Sequence, residues 1–120
     1  MSQANWEIEH YEKSSGRCPI EEFLGSLSAD ELVRVNRAIE RLETHGLKLD
    51  YPHTEFLRDD IHALRIRIRR VRYRLFYFIY ARNQFVLTHG IKKKTDKIPD
   101  YEIDKAIEYR KDYLAQVSGR

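Results

Sequence analysis

Leu64-Arg65-Ile66-Arg67-Ile68-Arg69-Arg70-Val71-Arg72-Tyr73-Arg74-Leu75-Phe76-Tyr77-Phe78-Ile79-Tyr80 is the stretch on which the fold turns. Its first half alternates strictly. Leu64, Ile66 and Ile68 fall on one side, and Arg65, Arg67 and Arg69 on the other. A side-chain period of two belongs to a β-strand, so the three arginines share one sheet face. From Tyr73 to Tyr80 the chain is dense in aromatic and β-branched residues, again the composition of a strand. Arg74 lies within it, in phase with Arg72. A third run, Phe85 to His89, closes at Gly90 and opens into Lys92, Lys93, Lys94 and Lys97. The pattern predicts strands over 61–70, 71–80 and 84–90, with Arg82-Asn83 in a hairpin loop. Connections this short make antiparallel neighbours.

Upstream, Trp6 to Tyr11 alternates as a short strand at or beside a sheet edge, and Ser14-Ser15-Gly16 is a turn. Pro19 fits the first position of a short helix, whose stripe is Ile20, Phe23, Leu24 and Leu27. Ser28 and Glu31 form a capping box that opens a helix over 29–45. Leu32, Val35, Ile39 and Leu42 recur there at helical spacing, and Gly46 ends it. Glu31, Arg34, Arg37, Arg41 and Glu43 read as its solvated outer face. Leu47 to Asp60 reads as a loop with an Asp59-Asp60 turn. Pro99 and Asp100 start a last helix with Ile103, Ile107, Arg110 and Leu114 along one side. The fold class is α+β: an antiparallel sheet of about four strands, two N-terminal helices in a hairpin on one face, and one C-terminal helix.

The chain has 120 residues and a formal net charge of +3, a length expected of one domain spanning 1–120 with one core. The charge is unevenly spread. Residues 57–97 hold twelve Lys or Arg against three Asp, and the remainder holds ten basic against sixteen acidic residues. A basic sheet in an acidic shell is the footprint of a polyanionic partner. No apolar run approaches the ~18–20 residues that span a bilayer, and the N-terminus lacks a basic-then-apolar signal pattern. The single cysteine, Cys18, cannot form an intrachain disulfide. These features point to a cytoplasmic protein without membrane contact. His10, His45, His53 and His62 are too scattered to suggest a metal site, and Cys18 lacks a clear partner base and reads as structural.

The order of elements and several motifs resemble the RelE/HigB superfamily of toxins from type II toxin–antitoxin modules, in its phage-derived host-inhibition branch related to HigB. The matching pieces are Cys18-Pro19-Ile20-Glu21-Glu22-Phe23-Leu24, Leu64-Arg65, Tyr73-Arg74-Leu75-Phe76-Tyr77-Phe78, and His89-Gly90-Ile91-Lys92-Lys93-Lys94-Thr95 through Pro99 to Glu102-Ile103. The resemblance runs from about residue 7 to 115. It implies a ribosome-dependent endoribonuclease that inhibits translation by cutting messenger RNA, without metal or other cofactor, through attack of a ribose 2′-hydroxyl on the adjacent phosphate. It also implies a cognate antitoxin of helix-turn-helix type, with DNA reached only through the antitoxin complex. On the family pattern Arg65, Arg67 and Arg74 fall on basic strand positions, Lys92–Lys94 cover the basic position after Gly90, and His89 matches a histidine of the HigB branch. Tyr101 is the nearest counterpart of a C-terminal tyrosine that some members use.

The residues support that chemistry in outline. The reaction needs a proton acceptor, a stabiliser of the dianionic phosphorane and a proton donor to the leaving oxygen. Guanidinium groups on adjacent strands suit the second task, because each donates two parallel hydrogen bonds to phosphate. Arg65, Arg67, Arg74, His89 and Lys92 are therefore the candidate catalytic residues. Arg69, Arg72, Lys93, Lys94 and Lys97 are the candidate RNA-binding residues, and no metal ligand is assigned. Alternatives stand beside each. The strand arginines fit a solvated face; His89 shares phase with Phe85 and Leu87 and fits a satisfied core histidine as well as an acid or base. A lysine among arginines fits a base, while Lys92–Lys94 and Lys97 also fit plain backbone binding. Beyond the nuclease, the open functions are an RNA- or partner-binding protein of the same fold and, lower, a DNA-binding regulator. The last lacks a basic recognition helix.

Overall fold

A computed structural model describes residues 6–119. The elements in order are β1 (Glu7–His10), α1 (Pro19–Gly25), α2 (Ala29–His45), a short 3-10 turn (Gly46–Lys48), β2 (Thr54–Arg58), β3 (Ile61–Ile68), β4 (Val71–Tyr80), β5 (Gln84–Lys93) and α3 (Asp100–Ser118). The strands form one sheet in the order β1-β5-β4-β3-β2. β2 to β5 are a continuous antiparallel meander, while β1 joins the far edge parallel to β5.

The class is α+β, with corrections to the expected sheet. It has five strands rather than about four, and it is mixed rather than antiparallel. β2 lies inside the span read as a loop. It is short, follows Pro52 closely and lacks clean alternation. What makes it a strand is the Asp59-Asp60 turn, where both residues take positive φ (50° and 67°). Such a two-residue turn matches the twist of a hairpin and folds β2 back on β3. The next turn works alike: β3 stops at Ile68, and Arg69 sits in the turn with φ 58° rather than on the strand. β5 continues past Gly90 to Lys93, so two of the clustered lysines belong to a strand.

β4 is covered on both sides, so it carries a nearly unbroken apolar run. Tyr73, Leu75 and Tyr77 face α1 and α2, which pack on β5 and β3 respectively and match the expected helical hairpin only roughly, with Leu64, Ile68, Phe85 and Leu87 of the neighbouring strands against Ile20, Val35, Ala38 and Leu42. Phe76 and Phe78 face α3, with Ile61, Val86 and Ile91 against Ile103, Ala106 and Tyr113. The Ser28–Glu31 capping box is present in full. Gly90 lets α1 lie against β5, because a Cβ there would collide with the Phe23 ring. Among the described residues, no helix is long and apolar enough to cross a membrane.

Candidate nucleic-acid interface

The register of the β3–β4 hairpin builds the site. Arg65 pairs with Arg74, and Arg67 with Arg72. Directly opposed residues of an antiparallel ladder share a face, so four guanidinium groups crowd one end of the sheet. Like charges set directly opposite repel, so an arrangement of this kind calls for counter-charge. Two carboxylates supply part of it. Glu55 on β2 lies 3.5 Å from Arg65 Nε. Asp96, in the loop between β5 and α3, pairs with Arg72 and reaches to 3.7 Å from Arg74 Nη2. Both partners come from outside the arginine strands.

Arg74 is the most buried member, and Arg65 Nε shares its lack of a hydrogen-bond partner. Arg74 is 3% exposed. Its Nη2 donates to the Asp96 carbonyl at 2.9 Å, but Nε and Nη1 are buried without any hydrogen-bond partner. Burial, reinforced by the neighbouring Arg65 charge, lowers its pKa, yet a guanidinium remains cationic at any ordinary pH. Buried charges and buried N–H groups are normally satisfied, because leaving them unpaired is costly. Arg74 lines a cleft of about 400 Å³ together with Arg65, Arg67, Arg72, Asp96 and Tyr51. The cleft is thus a cationic concavity lined by a residue with two buried, unpaired nitrogens. Arg65 is held by donation to the Pro52 carbonyl (3.0 Å) and lies over the Tyr51 ring at 4.6 Å. Arg67 donates to the Arg69 carbonyl at 3.1 Å, and Arg72 to the Lys94 carbonyl at 3.3 Å.

The other expected site residues divide. Lys92 does not join the arginines. Because β5 continues as a strand, Lys92 pairs with Tyr73 and faces α2. Its Nζ binds Glu31 Oε2 at 2.7 Å and sits 5.7 Å above the Tyr73 ring. With Tyr73 and the Ser28 cap it drives the Glu31 carboxyl down to about 2. Lys93 pairs with Arg72 and does share the arginine face. Lys94 and Lys97 are exposed in the loop that carries Asp96, and Arg69 is exposed in its turn. Tyr101, on the first turn of α3, is 60% exposed and lies outside the cleft lining.

His89 lies on the arginine face but under α3, outside the cleft. It is 5% exposed and stacks on Phe76 at 4.6 Å. Its Nε2 is 3.1 Å from Glu102 Oε1 and its Nδ1 is 3.1 Å from the Thr88 hydroxyl. Burial outweighs Glu102 and pulls its pKa down to about 4, so the ring is neutral near pH 7. This is the arrangement of a satisfied core histidine.

Three lining residues escaped the sequence reading: Tyr51, Pro52 and Asp96. Asp96 alone carried a signal, as the one acid within the lysine cluster. One group of metal-ligand type also comes together despite the wide spacing of the histidines. His10, Cys18 and Glu21 place donor atoms within 4.8 Å of one another. Their donors are engaged, His10 Nδ1 with Glu21 at 3.0 Å and the Cys18 thiol with the Tyr11 carbonyl at 3.3 Å, and burial raises the thiol pKa.

The model of the family described as Phage derived protein Gp49-like (DUF891) matches residues 22–111, three quarters of the chain, from α1 to within α3. No match is found among curated proteins. The matched span holds the whole β2–β5 meander with the arginine cleft, and the chain therefore belongs to the phage-derived Gp49-like family, within the RelE/HigB-like toxin superfamily.

Proposed function

We propose that the protein is the toxin of a HigB-like toxin–antitoxin module, a ribosome-dependent endoribonuclease whose arginine cleft takes the scissile phosphate of a messenger RNA. The observation that carries the reading is Arg74: a fully buried guanidinium with two unpaired nitrogens in the wall of a four-arginine cleft. A phosphate supplies the missing acceptors and the counter-charge together.

In this reaction the ribose 2′-hydroxyl gives up its proton as its oxygen bonds to phosphorus, and the bond to the 5′-oxygen breaks as that oxygen takes up a proton, leaving a 2′,3′-cyclic phosphate and a 5′-hydroxyl. Negative charge grows on the phosphorane oxygens in between. Arg74, on the buried strand β4, and Arg65 opposite it stabilise that charge. Arg67, Arg72 and Lys93 extend the field along the strand. Neither His89 nor Lys92 lines the cleft, so in this reading they support the sheet, His89 under α3 and Lys92 against α2. The partners that follow are the ribosome and messenger, and a helix-turn-helix antitoxin whose acidic segment covers the cleft. DNA is reached only through that complex, and the setting is the cytoplasm.

A binding-only role has one observation in its favour. The cleft wall offers four arginines and Asp96 but no histidine or lysine to move a proton. One assay separates the two: primer extension on a translated messenger with purified ribosomes. A nuclease leaves new 5′ ends with the wild type and loses them in Arg74→Ala. A protein that co-sediments with ribosomes and leaves the messenger whole is a binder.

A further inference from the structure

The arginines of α2 were read from sequence as a solvated helix face. All three are exposed, as that reading expects, and they also border a groove. Arg34, Arg37 and Arg41 recur at spacings of three and four, so they form one stripe about 10 Å long at a rise of ~1.5 Å per residue. That stripe faces β3 across a second groove of about 300 Å³, which His53, Arg65 and Arg67 close from the other side. No carboxylate lines it. Among the described residues, Arg37, Arg41 and Arg67 form no ion pair, and Arg34 has only Asp30, 3.7 Å away and exposed.

The two grooves are one path. Both are lined by Arg65, Ile66 and Arg67. β2 pairs with residues 61–64 of β3 and the Arg65 N–H donates to the His53 carbonyl at 2.8 Å, so the outer edge of β3 is left without a strand partner from Ile66 on. The groove on the α2 side and the cleft on the arginine face meet over that edge. A chain leaving one enters the other past Arg65 and Ile66, with the Glu55 carboxylate 3.5 Å from Arg65 Nε as the acid at the crossing.

The geometry points to a second backbone-binding subsite, in which Arg34, Arg37 and Arg41 hold the phosphates of the same RNA strand whose scissile phosphate sits by Arg74. The inference rests on the cleft reading and adds a direction: the strand runs over the β3 edge onto α2. Arginine stripes without carboxylate partners suit the backbone rather than the bases, so this subsite grips any sequence.

The test uses fluorescence anisotropy with 2′-O-methyl oligouridines, which cannot be cut, as a trinucleotide and a dodecanucleotide. Arg37→Ala/Arg41→Ala keeps good helix formers at exposed positions. It is expected to leave trinucleotide binding unchanged and to weaken the dodecanucleotide, reducing its log K against log salt slope by about 1.4, since each single-strand phosphate contact contributes ~0.7. Arg37→Lys/Arg41→Lys is expected to restore the slope. An unchanged dodecanucleotide slope in the alanine variant overturns the subsite and leaves the cleft standing. Should Arg74→Ala bind both lengths like the wild type, it is the cleft reading that fails. If the alanine variant loses a polyglutamate peptide while holding RNA normally, the groove serves an acidic protein segment and the proposal is wrong.

Discussion

Arg74 and His89 occupy neighbouring positions on one face of the sheet, Arg74 opposite Ile91 and His89 opposite Phe76. Both are polar and almost wholly buried, and they end up differently. His89 is covered by α3, stacked, neutral and bound at both ring nitrogens. Arg74 is charged, stands in the wall of an open cleft and has two nitrogens with no partner. A buried polar group whose bonds are complete belongs to the fold. One whose bonds are incomplete, in the wall of a cationic cleft, is a candidate for a ligand from outside the chain. The contrast is what separates scaffold from site here.

The sharpest way to break the comparison is to truncate both. Arg74→Ala is expected to lower messenger cleavage about 10²–10³-fold, as loss of one preorganised electrostatic contact does, with an undiminished thermal midpoint because a buried unpaired charge has been removed. His89→Ala is expected to do the reverse: a loss of about 3 kcal/mol in urea titration, from the cavity and the stranded Glu102, with near-normal cleavage by the folded fraction. Equal effects of the two changes on either readout would dissolve the distinction.

The second prediction concerns acid. His89 titrates near 4 in the fold against about 6.5 in an unfolded chain, so between those values the unfolded state binds the extra proton. Stability is therefore full at neutral pH and declines as pH falls from about 6.5 to about 4, by at most about 3 kcal/mol at 1.36 kcal/mol per unit. His89→Gln is expected to flatten that part of the stability–pH curve, measured by urea unfolding at a series of pH values.

Two smaller effects sharpen the picture at the cleft. Asp96 competes for the cations that a phosphate needs, so Asp96→Asn is expected to tighten 2′-O-methyl RNA severalfold, most at low salt. Lys92→Ala breaks the pair with Glu31 on the opposite face, and is expected to lower stability slightly and to leave cleavage unchanged. A tenfold drop in cleavage by Lys92→Ala would return that residue to the active face.

The sequence made the arginine face legible because alternation along β3 and β4 is a local signal. It also gave α2, through its capping box and apolar stripe. What it hid was non-local. β2 depended on a turn of two positive-φ aspartates, and the parallel pairing of β1 with β5 spans most of the chain. Lys92 was misplaced because a run of lysines reads as a cluster, whereas within a strand its members alternate between faces. The pairing of Asp96 with Arg72 and Arg74, and the approach of α2 to the β3 edge, join residues more than twenty positions apart.

The most direct measurement is arginine side-chain NMR on protein labelled with nitrogen-15, titrated with 2′-O-methyl trinucleotide. The Arg74 Nε–Hε resonance, assigned by its loss in Arg74→Lys, is expected to shift strongly on binding, while the His89 ring signals stay in place. An Arg74 resonance that stays fixed at saturating trinucleotide would contradict the claim that its unpaired nitrogens are held for a phosphate.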